Sequence, residues 1–448
     1  MHFRFRNVNA AFASLVRQIH NREIPVRESP SRAGPVLMVE EPVTITYTHP
    51  RERVLFNKTR DANVFFHLFE SLWLLAGRND VAPLAYYNSQ IADIASDDGK
   101  TFNGAYGYRW RNGFREIPLA CSTPSLESPN VSYGYSFETD VNQLAIIIDQ
   151  LRRKPESRRC VLQMWNVEDD LLKIDKTKDV CCNTCVYFSL GFHTELHRRK
   201  IGSKPTADGL GGIDSFETPI SLDMTVCNRS NDLIWGALGA NVCHFSVLQE
   251  YVANCLGVEV GVYNQFTNNL HVYKERWEPE KWLAEYKPLV LCPKCHPSYQ
   301  SRGLVCLGNR TCDNCSSCGG DMQVLSSDHW GHPGANPYLT QNLNHIPLVQ
   351  DQARFDKECA AFIDCIDGDF QEPFLRDVAQ PMMAAFRRHK RRSYHDNEGA
   401  LNLIERVKAE DWKIAGRNWL LKRCEAWEKK AVISEGTGEV ISPILEGK

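Results

Sequence analysis

The chain has 448 residues, 43% of them hydrophobic, enough for a large core with appended segments rather than one small module. A formal net charge of −3 argues against a protein that coats duplex nucleic acid, because phosphate contacts demand a basic surplus, but it leaves room for a local basic pocket around one phosphate. The first residues, Met1-His2-Phe3-Arg4-Phe5-Arg6, lack the apolar core of a signal peptide, and no stretch reaches the roughly 18 apolar residues of a membrane span, so a soluble cytoplasmic protein is expected.

Residues 1 to about 120 read as mixed structure. Val43-Thr44-Ile45-Thr46-Tyr47 has strand character, and Phe65, Phe66, Phe69, Leu72 and Trp73 recur at helical spacing between Asn63 and Ala76, where core packing is the plain explanation of the aromatics. Gly77-Arg78-Asn79-Asp80 then stops that helix. Asp140 to Lys154 forms a second amphipathic helix on Val141, Leu144, Ile147, Ile148 and Leu151, ended by Pro155. Cys160 to Trp165, Val186 to Leu190 and Leu222 to Cys227 read as strands. Between the last two, the polar run Gly191 to Pro219 reads as a long inserted loop. Cys243 to Leu256 is mostly apolar and is expected as a buried helix.

Near residue 285 the texture changes. Cys292, Cys295, Cys306, Cys312, Cys315 and Cys318 place six of the chain's 17 cysteines within 27 positions, and paired Cys-x-x-Cys knuckles supply thiolates at the reach of tetrahedral zinc. A zinc-ribbon-like insertion over residues 286–325 follows, with Cys292, Cys295, Cys315 and Cys318 as ligands and Cys312 as an alternative to either of the last two. Its role is structural, since nothing indicates an open coordination position. Residues 326–448 read as a mainly helical extension, with Trp412, Trp419 and Trp427 among lysines and arginines; the run Arg387 to Arg392 is more simply a solvated face than a nucleic-acid site.

The chemistry concentrates in three places: Ser157-Arg158-Arg159-Cys160, Asp179-Val180-Cys181-Cys182-Asn183, and Asn228-Arg229-Ser230-Asn231-Asp232 running through Asn241 to His271. A thiol, arginines, a serine, an amide and a histidine are what a phosphorylated pyrimidine requires. C5 of a uracil ring is a poor nucleophile; a thiolate added at C6 turns C5 into an enolate-like carbanion. Cys182 follows a charged turn, and Arg158, Arg159 and Arg229 are placed in sequence to lower its pKa and to bind phosphate. Cys181 and Cys185 stay open as alternatives, as does the reading of all three as ordinary buried thiols.

Glu70-Ser71-Leu72-Trp73 with Ala76-Gly77, Gly104-Ala105-Tyr106-Gly107 with Arg109-Trp110-Arg111, Arg158-Arg159, Cys182, Arg229-Ser230, Asp232, Gly236, Asn241 and His271-Val272-Tyr273 fall in the order and approximate spacing of the thymidylate synthase and pyrimidine hydroxymethylase family. The resemblance covers roughly residues 10 to 275. It implies an α/β (α+β) fold whose large mixed sheet packs against its twin in a homodimer, residues 1–285 forming the catalytic domain. It implies Cys182 as nucleophile, Glu70 as the carboxylate that organises water and proton transfer, and catalytic roles for Tyr106 and Asn241. By the same resemblance Arg229, Ser230 and the mobile Arg32 bind phosphate, Arg158 and Arg159 are donated across the dimer interface, and His271 and Tyr273 meet the sugar. Asp232, Gly236 and Trp73 fall to the folate.

Asn241 bears on substrate choice, because a neutral amide pairs with both N3–H and O4 of uracil, which favours dUMP over dCMP; it sits one residue further from Asp232 than is usual in the family. Three departures bear on the outcome. Ile91 to Gly99 lacks the tryptophans that family members carry before the Tyr106 motif, the chain ends Ser442 to Lys448 without a short apolar tail, and Asn183 follows the nucleophile where histidine is usual. Two of these remove parts that exclude water, and an exocyclic methylene on C5 accepts water unless water is kept out. The expected activity is therefore methylenetetrahydrofolate-dependent hydroxymethylation of dUMP, as in phage enzymes that modify DNA bases, in the host cytoplasm if the chain is viral. Thymidylate synthesis is the alternative, and a zinc-bearing nucleic-acid-binding protein with a degenerate core is the third reading; nucleic acid is not expected as substrate.

Overall fold

The computed structural model describes residues 1–96, 98–113, 141–192, 219–286, 290–291, 323–324, 336–391 and 394–437. The polar loop expected after Gly191 and all six clustered cysteines, with the tetrad Cys292, Cys295, Cys315 and Cys318, lie outside the described residues.

The amino-terminal strand β1 (His2–Phe5) leads into helix α1 (Val8–His20), and β2 (Val26–Ser29), β3 (Val36–Val39) and β4 (Val43–Tyr47) follow. Helices α2 (Val64–Leu75), α3 (Val81–Tyr87), α4 (Tyr106–Arg111) and α5 (Gln143–Arg153) precede β5 (Val161–Gln163), β6 (Asn183–Phe192), β7 (Pro219–Asn228) and β8 (Asn231–Asp232). Then come α6 (Ala240–Leu256), β9 (Glu259–Thr267), β10 (Leu270–Tyr273) and α7 (Pro279–Leu283). The short strands β11 (Val290–Leu291) and β12 (Gln323–Val324) pair antiparallel and so bring together the two ends of the cysteine-rich segment. Helices α8 (Pro337–Thr340), α9 (Gln352–Asp364), α10 (Gln380–His389), α11 (Tyr394–Ile404) and α12 (Glu410–Thr437) complete the chain.

Six strands form a mixed sheet in the order β1-β4-β9-β7-β6-β5, and β2-β3-β10-β8 form a smaller one. Alternation along β6 and β7 separates two faces: Val186, Phe188, Leu222, Met224 and Val226 are buried, whereas Tyr187 is 47% exposed. Helix α6 lies on the buried face against β7 and β9, and α2 packs on α6. Asn63 caps α2 through its side chain, accepting the Phe66 N–H at 3.1 Å, and Gly77 leaves it at φ +70°. Both ends fall where the sequence places them.

The carboxy-terminal helices close over the far side of α2. The Phe65 ring lies 5.4 Å from Phe386, tilted, and 5.2 Å from Trp419, edge-on, between centroids, and the Cys359 thiol donates to the Leu72 carbonyl at 3.4 Å. A buried ionic group fastens the same layer: Glu250 on α6 pairs with Arg53 and accepts from His345 at 2.8 Å. The basic run after Phe386 is surface, with Arg387 paired to Asp367 and Arg388 to Asp396. Among the described residues no helix is long and apolar enough to cross a membrane.

Candidate active site

Cys182 sits immediately before β6, where the pairing with β7 is irregular between Asn183 and Cys185. Its backbone carbonyl accepts the Arg229 N–H at 3.0 Å, so the Cys182 turn is stitched to the end of β7. The Arg229 guanidinium donates to the carbonyls of Cys181 and Val180, each at 2.9 Å, and reaches the Cys182 sulfur at 3.7 Å. From the other side, Arg32 donates to the Lys178 carbonyl at 2.6 Å. Burial raises the Cys182 thiol above its ordinary value, and the positive charges of Arg229 and Arg32 oppose that rise. The neighbouring Cys181 is buried deeper, raised further by burial, and donates to the Asn183 carbonyl at 3.1 Å. Cys185 faces Cys227 across the sheet, and the hydrogen bond between the two thiols lowers Cys185 while raising Cys227.

A second ionic group, which motif reading missed, shapes this turn. Asp170, fully buried, is held by Arg109 at 3.1 Å and by a shorter second contact, and it accepts the N–H groups of Cys181 at 3.1 Å and Asn166 at 2.9 Å. Asp179 accepts the Gly104 N–H at 2.6 Å. The loop carrying Cys182 is thereby tied to the Gly104–Arg109 segment through five bonds to two carboxylates. Charge-assisted bonds of this kind fix the sulfur without touching it.

Tyr106, at the start of α4, is half-buried, and desolvation of its hydroxyl raises it well above the ordinary value; the charges that act on it include Cys182 and Glu70. Glu70 projects from α2 with its Oε2 3.1 Å from His244 Nε2 on α6. His67, one turn before Glu70, lies beside the His244 ring at 6.4 Å between centroids, and burial, with His244 and Arg60, lowers it to about 3. His244 and His67 went unread in the sequence, since a histidine on a buried helix carries no motif.

On the other flank, Asn241 opens α6. Its amide donates to Asn231 Oδ1 at 3.0 Å, Asn231 donates to Gln265 Oε1 at 2.9 Å, and Gln265 donates to the Ala237 carbonyl at 3.0 Å. A backbone carbonyl only accepts, so each amide in the series has its orientation dictated by the next. Among the described residues, Asn241 Oδ1 and its second amide N–H have no hydrogen-bond partner. Gly236 permits this packing: a Cβ there would stand 2.0 Å from Asn231 Oδ1 and 3.1 Å from Asn241 Nδ2.

Asp232 caps the turn Leu233–Ala237, accepting the N–H groups of Ile234 at 2.9 Å and Trp235 at 2.5 Å. Its Oδ2 is buried with no hydrogen-bond partner among the described residues, and burial raises its pKa against those two bonds. Such an orphan oxygen is a costly vacancy for a donor. Parallel pairing of β8 with β10 puts His271 beside Asp232, and Tyr273 follows within the electrostatic reach of Cys182 and Arg32. Trp235, 43% exposed, is flanked by Arg60 at 4.9 Å and Arg276 at 5.1 Å, a third feature that sequence reading missed.

The structure thus gathers Cys182, Arg229, Arg32, Tyr106, Tyr273, Asp232, His271 and Glu70 around one locus, with Ser230 half-buried next to Arg229. Three expected residues stand elsewhere. Trp73 is buried, its indole N–H on Asp80 at 3.1 Å and its ring edge-on to Phe102. Arg158 and Arg159 are exposed next to Cys160, whose carbonyl is bonded to Phe188, six positions along the strand from Cys182, or roughly 20 Å at about 3.3 Å per residue. They therefore do not lower the Cys182 pKa within one chain. Asn183 is fully buried and bonds Asn228 across the sheet, so the residue that follows Cys182 serves the strand pairing. Among the described residues, no group of three or more His, Cys, Asp or Glu side chains is placed to hold a metal.

Comparison with known proteins bears on the whole chain. The thymidylate synthase family model matches residues 11–297. A deoxyuridylate hydroxymethyltransferase of Pseudomonas phage M6 is 35% identical, with 95% of this chain and 95% of that protein aligned. A second, of Bacillus phage SP01, is 37% identical over 52% of this chain and 49% of its own length. A third, of Delftia phage PhiW-14, is 25% identical, with 54% and 57% covered.

Proposed function

The chain belongs to the thymidylate synthase family and is a folate-dependent one-carbon transferase; on that premise we propose that it transfers a hydroxymethyl group from methylenetetrahydrofolate to C5 of dUMP. The observation that carries this is the meeting of Cys182, Arg229, Tyr106 and Glu70 at one locus, in a chain aligned almost end to end with a deoxyuridylate hydroxymethyltransferase.

Cys182 adds to C6, helped by the approach of Arg229, whose guanidinium is parked on the nucleophile turn and turns to the 5′-phosphate when dUMP arrives. Ser230 and Arg32 complete that phosphate pocket. Asn241, oriented by the Asn231-Gln265 series, offers Oδ1 to N3–H and an N–H to O4. His271 and Tyr273 take the sugar hydroxyl. Asp232 supplies its unpartnered Oδ2 to the N–H donors of the pterin, and Gly236 keeps the adjoining amides in place.

The carbanion at C5 takes the one-carbon unit, and loss of the C5 proton with expulsion of tetrahydrofolate leaves an exocyclic methylene. Water then decides the product. Ile91 to Gly99, where family members place covering tryptophans, contains none, and the helical turn Ser89–Ile94 that overlaps it buries none of its residues, which supports an open approach for water.

A homodimer completes the site. Arg158 and Arg159 are too far along the strand to serve their own Cys182, and the outer face of the large sheet exposes Val161 and Tyr187 beside them. A second copy on that face would receive the arginine pair. The pairing of β11 with β12 supports a closed insertion, whose Cys292, Cys295, Cys315 and Cys318 have the thiolate chemistry and spacing for a structural zinc.

The test is a mass spectrum of the nucleotide after incubation with dUMP and methylenetetrahydrofolate. A gain of CH2O with tetrahydrofolate released is expected; a gain of CH2 with dihydrofolate formed would make the chain a thymidylate synthase instead.

A further inference from the structure

Glu70 is the carboxylate of the site, and the group behind it has no role in the chemistry described so far. His244 is 3% exposed in its side chain, and its Nε2 stands 3.1 Å from Glu70 Oε2 without the alignment of a finished hydrogen bond. Neither atom has another hydrogen-bond partner among the described residues. Two unpartnered polar atoms, buried and facing one another at contact distance, form an incomplete pair. Leaving both unsatisfied costs stability, so their retention needs a reason.

We propose that His244 is a positioning residue for the water-addition step, holding Glu70 Oε2 so that the other carboxylate oxygen takes a proton from the attacking water. The inference rests on the hydroxymethylase reading above. In the step itself, the water oxygen forms a bond to the exocyclic methylene carbon and the π pair moves through C5 onto O4. The water proton passes to Glu70. The resulting enolate expels the Cys182 thiolate from C6, restoring the C5–C6 double bond. A carboxylate that must accept a proton at this moment benefits from a fixed geometry. Hydride quenching of the same methylene requires no proton acceptor for water, so the pair matters to one product and not the other.

Other titratable groups face the pair from three helices. On α2, His67 is held neutral; on α6, Cys243 lies near Glu70; on α4, Tyr106 faces Glu70 and Cys182; and Arg60 acts on His67 without pairing with His244.

The experiment follows two products from [5-³H]dUMP in the presence of 2-mercaptoethanol, a thiol that competes with water for the methylene. Tritium release reports every step before the competition. For His244→Gln, tritium release should persist while the ratio of 5-thioether to 5-hydroxymethyl product rises about tenfold, a fraction of the 10²-fold or more that a general base contributes. His244→Asn gives the same reading if the glutamine variant fails to bind dUMP. A ratio equal to that of the unmodified enzyme would overturn the proposal, and so would loss of tritium release with dUMP binding intact, because His244 would then act earlier. If the unmodified enzyme releases tritium but makes no hydroxymethyl product, the functional reading fails instead.

Discussion

Glu250→Gln tests how the carboxy-terminal helices are fastened to the catalytic core. Glu250 is 2% exposed in its side chain, paired with Arg53 at 4% exposure, and it accepts from His345 of the extension at 2.8 Å. Burial alone would raise its pKa, but the charges of Arg53 and His345 prevail and hold it near 2, against an ordinary 4.5. At about 1.4 kcal/mol per tenfold change in proton affinity, that depression corresponds to about 3 kcal/mol, the low end of what removing one partner of a buried pair costs. Because the folded value lies below the unfolded one, the contribution is complete above about pH 4.5 and is lost as pH falls toward 2. Other buried carboxylates, Asp411 among them, are shifted the opposite way, so the informative quantity is the difference between the two proteins. Urea denaturation of both at pH 7 should show a gap of about 3 kcal/mol that shrinks to a little under half by pH 3. A gap that is constant with pH, or below about 1 kcal/mol at pH 7, would refute the reasoning.

Gly236→Ala should displace Asn231 and raise the KM for dUMP about tenfold through the loss of one oriented hydrogen bond, with little change in the binding of the bare phosphate; steady-state kinetics against dUMP, with inorganic phosphate as competitor, checks both. Asn241→Asp removes the donor to Asn231 and puts an oxygen where an N–H faced O4, so that it accepts from the 4-amino group of cytosine and preference should move toward dCMP at a stability cost of about 1–2 kcal/mol; competition between the two nucleotides reads the shift, and an unchanged preference would show that another residue faces the base edge. Cys182→Ser should abolish product while dUMP still binds by calorimetry, and residual turnover above one part in ~10³ would point to another thiol. Mixing Cys182→Ser with Arg159→Ala, each inactive alone, should restore activity through heterodimers carrying one intact site, and no recovery after subunit exchange would count against a shared site.

Much of the site was legible because its chemistry requires fixed residue types in fixed order. The cap formed by Asp232 just past the end of β7 can be read directly, as can Arg229 and Ser230 as proposed phosphate ligands, and the capping of α2 by Asn63 and its stop at Gly77 obey local rules. What escaped reading is long-range. Asp170 meets Arg109 across 61 positions and Asn231 meets Gln265 across 34, distances over which no local pattern operates. His244 was hidden for a related reason, since its helix is apolar on most sides and a histidine there resembles any other core position. The exposed placement of Arg158 and Arg159 was invisible without the register of β5 on β6, which sets them a strand's length from Cys182.

Helix α2 presents Glu70 in one direction and Phe65 in another, toward Phe386 and Trp419. For anyone designing a minimal enzyme this removes the obvious cut. Trimming the chain after α7 would strip an aromatic stripe from the helix that carries the carboxylate, and the bared surface would favour aggregation over catalysis. A working miniature would have to rewrite Phe65, and repack Cys359's former seat at Leu72, before the trailing helices became dispensable.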